Sequence, residues 1–88
     1  MAAKSSLIQG QVLDARGHPV AGARISWVQA PVVMPDVALM TDAQGQFTVA
    51  APAKGAYILR CDSDAQGSVQ QALEAAGQPL QVTLKLPR

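Results

Sequence analysis

The sequence predicts an all-β sandwich of about seven short strands. Apolar side chains recur at every second residue in five segments, and the tetrapeptide Asp-Ala-x-Gly stands three times between such segments. The 88 residues are 49% hydrophobic but only 3% aromatic. That composition suits one small core filled by Val, Leu, Ile and Ala rather than a disordered chain or several domains.

Residues 1–5 read as a flexible N-terminus and 6–87 as a single domain. Ile8, Gly10 and Val12 alternate with Gln9 and Gln11 in the first strand. Asp14–Gly17 follows as a turn, its Asp side chain bonding nearby amides and its Gly taking a positive φ. Ala23, Ile25 and Trp27 alternate with Arg24 and Ser26, and a weaker strand is expected over Val37–Thr41. A second turn at Asp42–Gly45 leads to Phe47 and Val49, and the next strand carries Tyr57, Leu59 and Cys61 inward. The third turn, Asp64–Gly67, leads into Ser68–Leu73. Residues 68–76 also contain helix formers ahead of Gly77, so strand and short helix both remain open, with strand preferred. Val82, Leu84 and Leu86 complete the pattern. All three turns read as tight hairpin connections.

In order, these motifs resemble the carboxypeptidase regulatory-like domain family. Gly10-x-Val12-x-Asp14-x-x-Gly17-x-Pro19-Val20-x-Gly22-Ala23-x-Ile25 matches the family's opening strand, turn and second strand. Thr41-Asp42-x-x-Gly45-x-Phe47 matches its middle turn, and Pro52-x-x-Gly55-x-Tyr57-x-Leu59 the strand after it. The resemblance spans roughly residues 8–61 and, more loosely, the last strand. It implies a seven-stranded antiparallel, Greek-key sandwich of the transthyretin-like type. Phe47 and Tyr57 should plug the core from facing sheets, and Gly55 should need a positive φ. Family members ride on larger proteins as spacers, folding aids or binding modules. The resemblance therefore implies a bacterial, secretion-associated or surface setting if the chain belongs to a larger protein.

The residues themselves argue against catalysis. Transthyretin-like folds include a hydroxyisourate hydrolase that relies on several His and Arg residues and a Tyr-Arg-Gly-Ser end. Here His18 is the only histidine, it falls in a turn, and the chain ends Leu86-Pro87-Arg88. Cys61 is the only cysteine, so no intramolecular disulfide exists, and its alternation with Leu59 and Tyr57 reads as core packing. Asp62-Ser-Asp64-Ala-Gln66-Gly67 imitates the start of a calcium loop, but Leu73 stands where the bidentate Glu belongs and Glu74 is one residue late. One Cys and one His cannot build a zinc site. With no Asn in the chain, a Lys–Asn isopeptide bond is impossible. A Lys–Asp bond from Lys4, Lys54 or Lys85 is disfavoured because all three read as solvent-facing. No cofactor and no metal are expected.

A formal net charge of +1, from scattered charges, offers no basic stripe for nucleic acid. The apolar runs fall far short of the roughly 20 residues that span a bilayer. The first six residues carry no apolar signal segment. Either the chain is cytoplasmic as written or it is a piece of a longer protein.

The expected partner is a protein. Pro31, Val32, Val33, Met34 and Pro35 form a stiff apolar stretch where a solvated loop should be polar. Such a stretch either folds back to cap the sandwich, the preferred reading, or contacts a partner. Trp27 nearby reads as core. Two alternatives stand beside the interaction module: a passive structural spacer and, more weakly, a carbohydrate-binding module without exposed aromatics to support it.

Overall fold

The structure is a computed structural model, and it describes residues 6–33 and 39–88. The expected N-terminal tail, Lys4, Met34, Pro35 and the start of the weak strand at Val37 lie outside the described residues. Seven strands follow in chain order: β1 Ser6–Leu13, β2 Arg24–Gln29, β3 Leu39–Met40, β4 Gln46–Ala51, β5 Gly55–Ser63, β6 Gly67–Ala75 and β7 Leu80–Lys85. They form a three-stranded sheet, β4-β1-β7, and a four-stranded sheet, β3-β2-β5-β6. Residues 68–75 are strand, so the ambiguous segment resolves as the turn before it required. One ladder departs from the antiparallel expectation. β7 lies parallel to β1, with Gly10 opposite Val82, because the chain crosses from β6 in the other sheet before it returns.

The alternation holds where it decides the fold. Ile8, Val12, Ile25, Phe47, Tyr57, Leu59, Cys61, Leu84 and Leu86 are buried between the sheets. Phe47 and Tyr57 do project from opposite sheets. Tyr57 also meets Trp27, ring centroids 5.0 Å apart and tilted by 51°. The Tyr57 hydroxyl donates to the Ala53 carbonyl at 2.7 Å and accepts from its amide at 3.1 Å, so its one polar atom enters the core satisfied.

Two of the three repeated turns behave differently from the expected hairpins. Asp14 Oδ1 accepts from the amides of Arg16 (2.8 Å) and His18 (3.0 Å). Asp42 Oδ1 accepts in the same way from Gln44 (2.9 Å) and Gln46 (2.8 Å). Both turns carry the chain from one sheet to the other, β1 to β2 and β3 to β4. The turn at 64–67 is the one that closes a hairpin within a sheet, and it does so one residue out of step, pairing Ser63 with Gly67. There Ser63 Oγ donates to Gln66 Oε1, and Asp64 turns outward to Arg24.

The two sheet-switching turns lock against each other. Gly45, at φ 72°, lies so close to β1 that a Cβ on it would meet the Val12 carbonyl oxygen at 2.6 Å and the Val20 nitrogen at 2.9 Å. Val12 donates its amide to the Gly45 carbonyl at 2.8 Å, and Val20 donates to the Val12 carbonyl at 2.9 Å. Thr41, buried at the crossing, donates its hydroxyl to the Val20 carbonyl (2.7 Å) and accepts from the Ala23 amide (2.9 Å). The motif residues Val20, Ala23, Thr41 and Gly45, scattered along the sequence, thus meet at one joint.

Candidate functional site

Of the apolar loop, the described valines Val32 and Val33 do not cap the sandwich. Val33 is 100% exposed and Val32 41% exposed, so for these two residues the preferred folding-back reading gives way to solvent exposure. The Pro31 ring lies against Gly55, where a Cβ would come 3.0 Å from its Cγ. Gly55 takes φ 139°, the positive value expected for it.

Other apolar side chains are exposed on β2 and β3, the strands that flank this loop. β2 carries a bulge between Trp27 and Gln29, so that Trp27 faces Leu59 and Gln29 faces Ile58. The extra residue, Val28, breaks the alternation and turns outward, half exposed. Across β2, Met40 pairs with Arg24 and Leu39 with Ile25, and both side chains are exposed, Met40 at 60%. Of the six large hydrophobic residues exposed among the described residues, five lie within residues 28–40. A shallow hollow of about 200 Å³ lies at the end of β2, lined by Trp27, Val28, Gln29, Ala30 and Val32, so two of the five, Val28 and Val32, share it. Pro31, Val32 and Val33 were legible in the sequence as candidates. Val28, Leu39 and Met40 were not, because a bulge and a two-residue strand leave no periodic trace.

The side chains with catalytic or metal-binding potential are placed apart. His18 sits on the surface of its turn, its ring Nδ1 3.9 Å from Asp14 Oδ2. The Asp14 carboxyl is held below the usual carboxylate range, chiefly by the His18 amide. Cys61 lies buried between the sheets, where desolvation, with a smaller contribution from Asp62, pushes its thiol up to about 11. A thiol so protected is a poor nucleophile. The carboxylates of the calcium-like stretch face guanidinium groups instead of a common centre: Asp64 meets Arg24 at 3.0 Å and Asp62 meets Arg60 at 3.1 Å. Among the described residues no group of three or more His, Cys, Asp or Glu side chains is placed to hold a metal ion.

Comparisons with known proteins agree with this architecture. No curated protein matches the chain. Among solved structures it is similar to a proposed carbohydrate-binding protein of Pseudomonas aeruginosa (PA1324), at 17% identity and a TM-score of 0.57, over 97% of this chain and 90% of that one. It is also similar to the 3-chlorocatechol 1,2-dioxygenase of Rhodococcus opacus 1CP, at 17% identity and a TM-score of 0.59, over 82% of this chain. The match covers only 44% of the dioxygenase, and at this identity both likenesses speak to the fold alone. The model of the carboxypeptidase regulatory-like domain, a non-catalytic family, matches residues 7–87. With nearly the whole chain matched and the family's scattered motif residues meeting at one structural joint, the chain belongs to the carboxypeptidase regulatory-like domain family.

Proposed function

We propose that this domain is a non-catalytic accessory module that docks onto a protein surface through the apolar edge formed by β2, the loop after it and β3. One observation carries the reading: the exposed large hydrophobics concentrate in residues 28–40, while the rest of the described surface shows only Leu7. Single exposed apolar residues need no explanation, but Val28 and Val32 share one hollow with the half-buried Trp27, which has the composition of an interface centre. Pro31 stiffens the loop, so little conformational entropy is lost on docking. The charges of Arg24 and Asp64 close to Met40 supply a polar rim.

A photo-crosslinking amino acid placed at Val33 tests this in the native host, with one at Thr83, on the other sheet, as control. The reading expects a discrete crosslinked protein from position 33 only, lost when Val32→Asp and Met40→Asp are added. Val32→Asp should change stability by less than about 0.5 kcal/mol, since exposed sites tolerate substitution. No crosslink at position 33, or the same products from both positions, would favour the passive spacer.

A further inference from the structure

The other sheet carries a surface of different chemistry. On its outer face, strand alternation places Gln46, Thr48 and Ala50 of β4, Leu7, Gln9, Gln11 and Leu13 of β1, and Gln81, Thr83 and Lys85 of β7. The register aligns them in rows across the sheet. Thr48, Gln9 and Gln81 form one row, and Gln46, Gln11 and Thr83 the next. Between them runs the row Phe47, Gly10 and Val82, whose inward direction leaves bare backbone as a floor. The two polar rows stand roughly 7 Å apart, two residues along the strand. They enclose a groove of about 350 Å³, at the lower end of the range for ligand pockets. Gln11 is already oriented, because its Nε2 donates to the Gln44 carbonyl at 2.9 Å.

All six groove walls are neutral amides or hydroxyls, and Lys85, one row further along, is the only charge on these strand faces. A merely solvated sheet face would mix Lys, Arg, Glu and Asp at about a quarter or more of its positions. A nucleic acid or an anionic polymer needs cations here. A protein partner needs an apolar centre, which the groove lacks. A peptide strand bonds to a sheet's edge, whereas this is a face. Carboxamides and hydroxyls each donate and accept at once, and the ligand group that does the same is an uncharged hydroxyl.

We propose that the outer face of the three-stranded sheet binds an uncharged, polyhydroxylated chain, a neutral polysaccharide, in the groove between its two Gln/Thr rows. The binding rests on several modest hydrogen bonds with no aromatic stacking surface, so it is weak for a single chain segment and gains from repeated units. It is independent of the apolar edge, which lies on the other sheet.

Native affinity electrophoresis through gels containing dextran, hydroxyethylcellulose or galactomannan, with alginate as the anionic control, tests the proposal. At least one neutral polymer should retard the wild type, and alginate should not. Gln9→Ala with Gln81→Ala should weaken the apparent affinity about tenfold, through two lost bonds. Thr48→Val should weaken it less. Thermal unfolding of each variant verifies that the fold is kept. Val32→Asp with Val33→Asp should leave retardation unchanged, which separates this site from the protein-docking edge. The proposal is overturned if no neutral polymer retards the protein, if alginate retards it equally, or if the Gln pair is dispensable. It is also overturned if the Gln pair instead abolishes a self-associated dimer seen by sedimentation.

Discussion

Gly10→Ala is the substitution most sensitive to this packing. Gly10 occupies an inward position of β1, between Ile8 and Val12, and the ring of Phe47 fills the space its side chain would take. A Cβ there would lie 2.9 Å from Phe47 Cε2 and closer still to Cζ and Cε1. Carbon atoms in contact prefer about 3.5–4.0 Å, so the ring must retreat by roughly 1 Å or leave its rotamer. Phe47 is buried on the neighbouring strand, directly paired with Gly10. Overpacking of this kind costs about 1–3 kcal/mol. By conformational entropy alone, Gly→Ala in a strand stabilises by about 0.4–1 kcal/mol, so the two accounts predict opposite signs. A net loss of about 2 kcal/mol is expected, equivalent to a fall of about 10 °C in Tm for a chain this short. Urea denaturation in wild-type and Phe47→Leu backgrounds measures both the loss and its origin. With the ring removed, the cost of Gly10→Ala should fall to near zero or reverse. An equal cost in both backgrounds, or a gain in the wild type, would show that the ring does not set the requirement for glycine.

Three further expectations rest on the joint between the sheets and on the core. Thr41→Val keeps the shape but strands the buried Val20 carbonyl and Ala23 amide, and should cost about 2–4 kcal/mol by chemical denaturation. Asp14 has its carboxyl lowered in the folded state, so its contribution is full above the unfolded value of about 3.9 and is lost as pH falls through the lower folded value. Asp14→Asn keeps an acceptor for the Arg16 and His18 amides, so the variant should show a smaller drop in Tm between pH 7 and pH 2.5 than the wild type. Cys61, buried with its thiol raised to about 11, should resist iodoacetamide at pH 8 in the native protein and react within minutes in 8 M urea, as followed by intact mass.

The sequence revealed most where local chemistry and global placement agree. The inward positions of β1, β2, β5 and β7 follow from alternation because each of these strands has one face on the core. The turn tetrapeptides were legible as turns, since an Asp acceptor and a positive-φ Gly act over a few residues. Their destinations were not. The same four residues switch sheets at Asp14 and Asp42, whereas at Asp64 the hairpin closes one residue earlier. What distinguishes them lies far along the chain: Thr41 and Gly45 reaching Val12, Val20 and Ala23. The same holds for the surfaces. Val32 and Val33 were visible as apolar residues in a loop, but whether such residues fold back or face solvent is set by the path of the chain, which no local pattern records. The Gln and Thr residues looked like the ordinary wet side of strands. Only the parallel pairing of β7 with β1 brings Gln81 and Thr83 into rows with Gln9 and Gln11.

The placement of polarity supports the two proposals that these surfaces have occupants. A domain of 88 residues buries a modest share of its surface and has few hydrophobic side chains to spare. Here Val28, Val32, Val33, Leu39 and Met40 stay in solvent. Nothing in the folding of the isolated domain rewards that arrangement, because exposed apolar clusters lower solubility without adding stability. On the opposite sheet, glutamines stand where Lys and Glu would keep a solvated face soluble at lower risk of association. Both departures follow if each surface is covered in use, the apolar edge by a protein and the amide face by a neutral polymer. Because they lie on different sheets, a module that holds both at once joins its protein partner to the polymer, and charge substitutions at the edge should leave polymer binding intact.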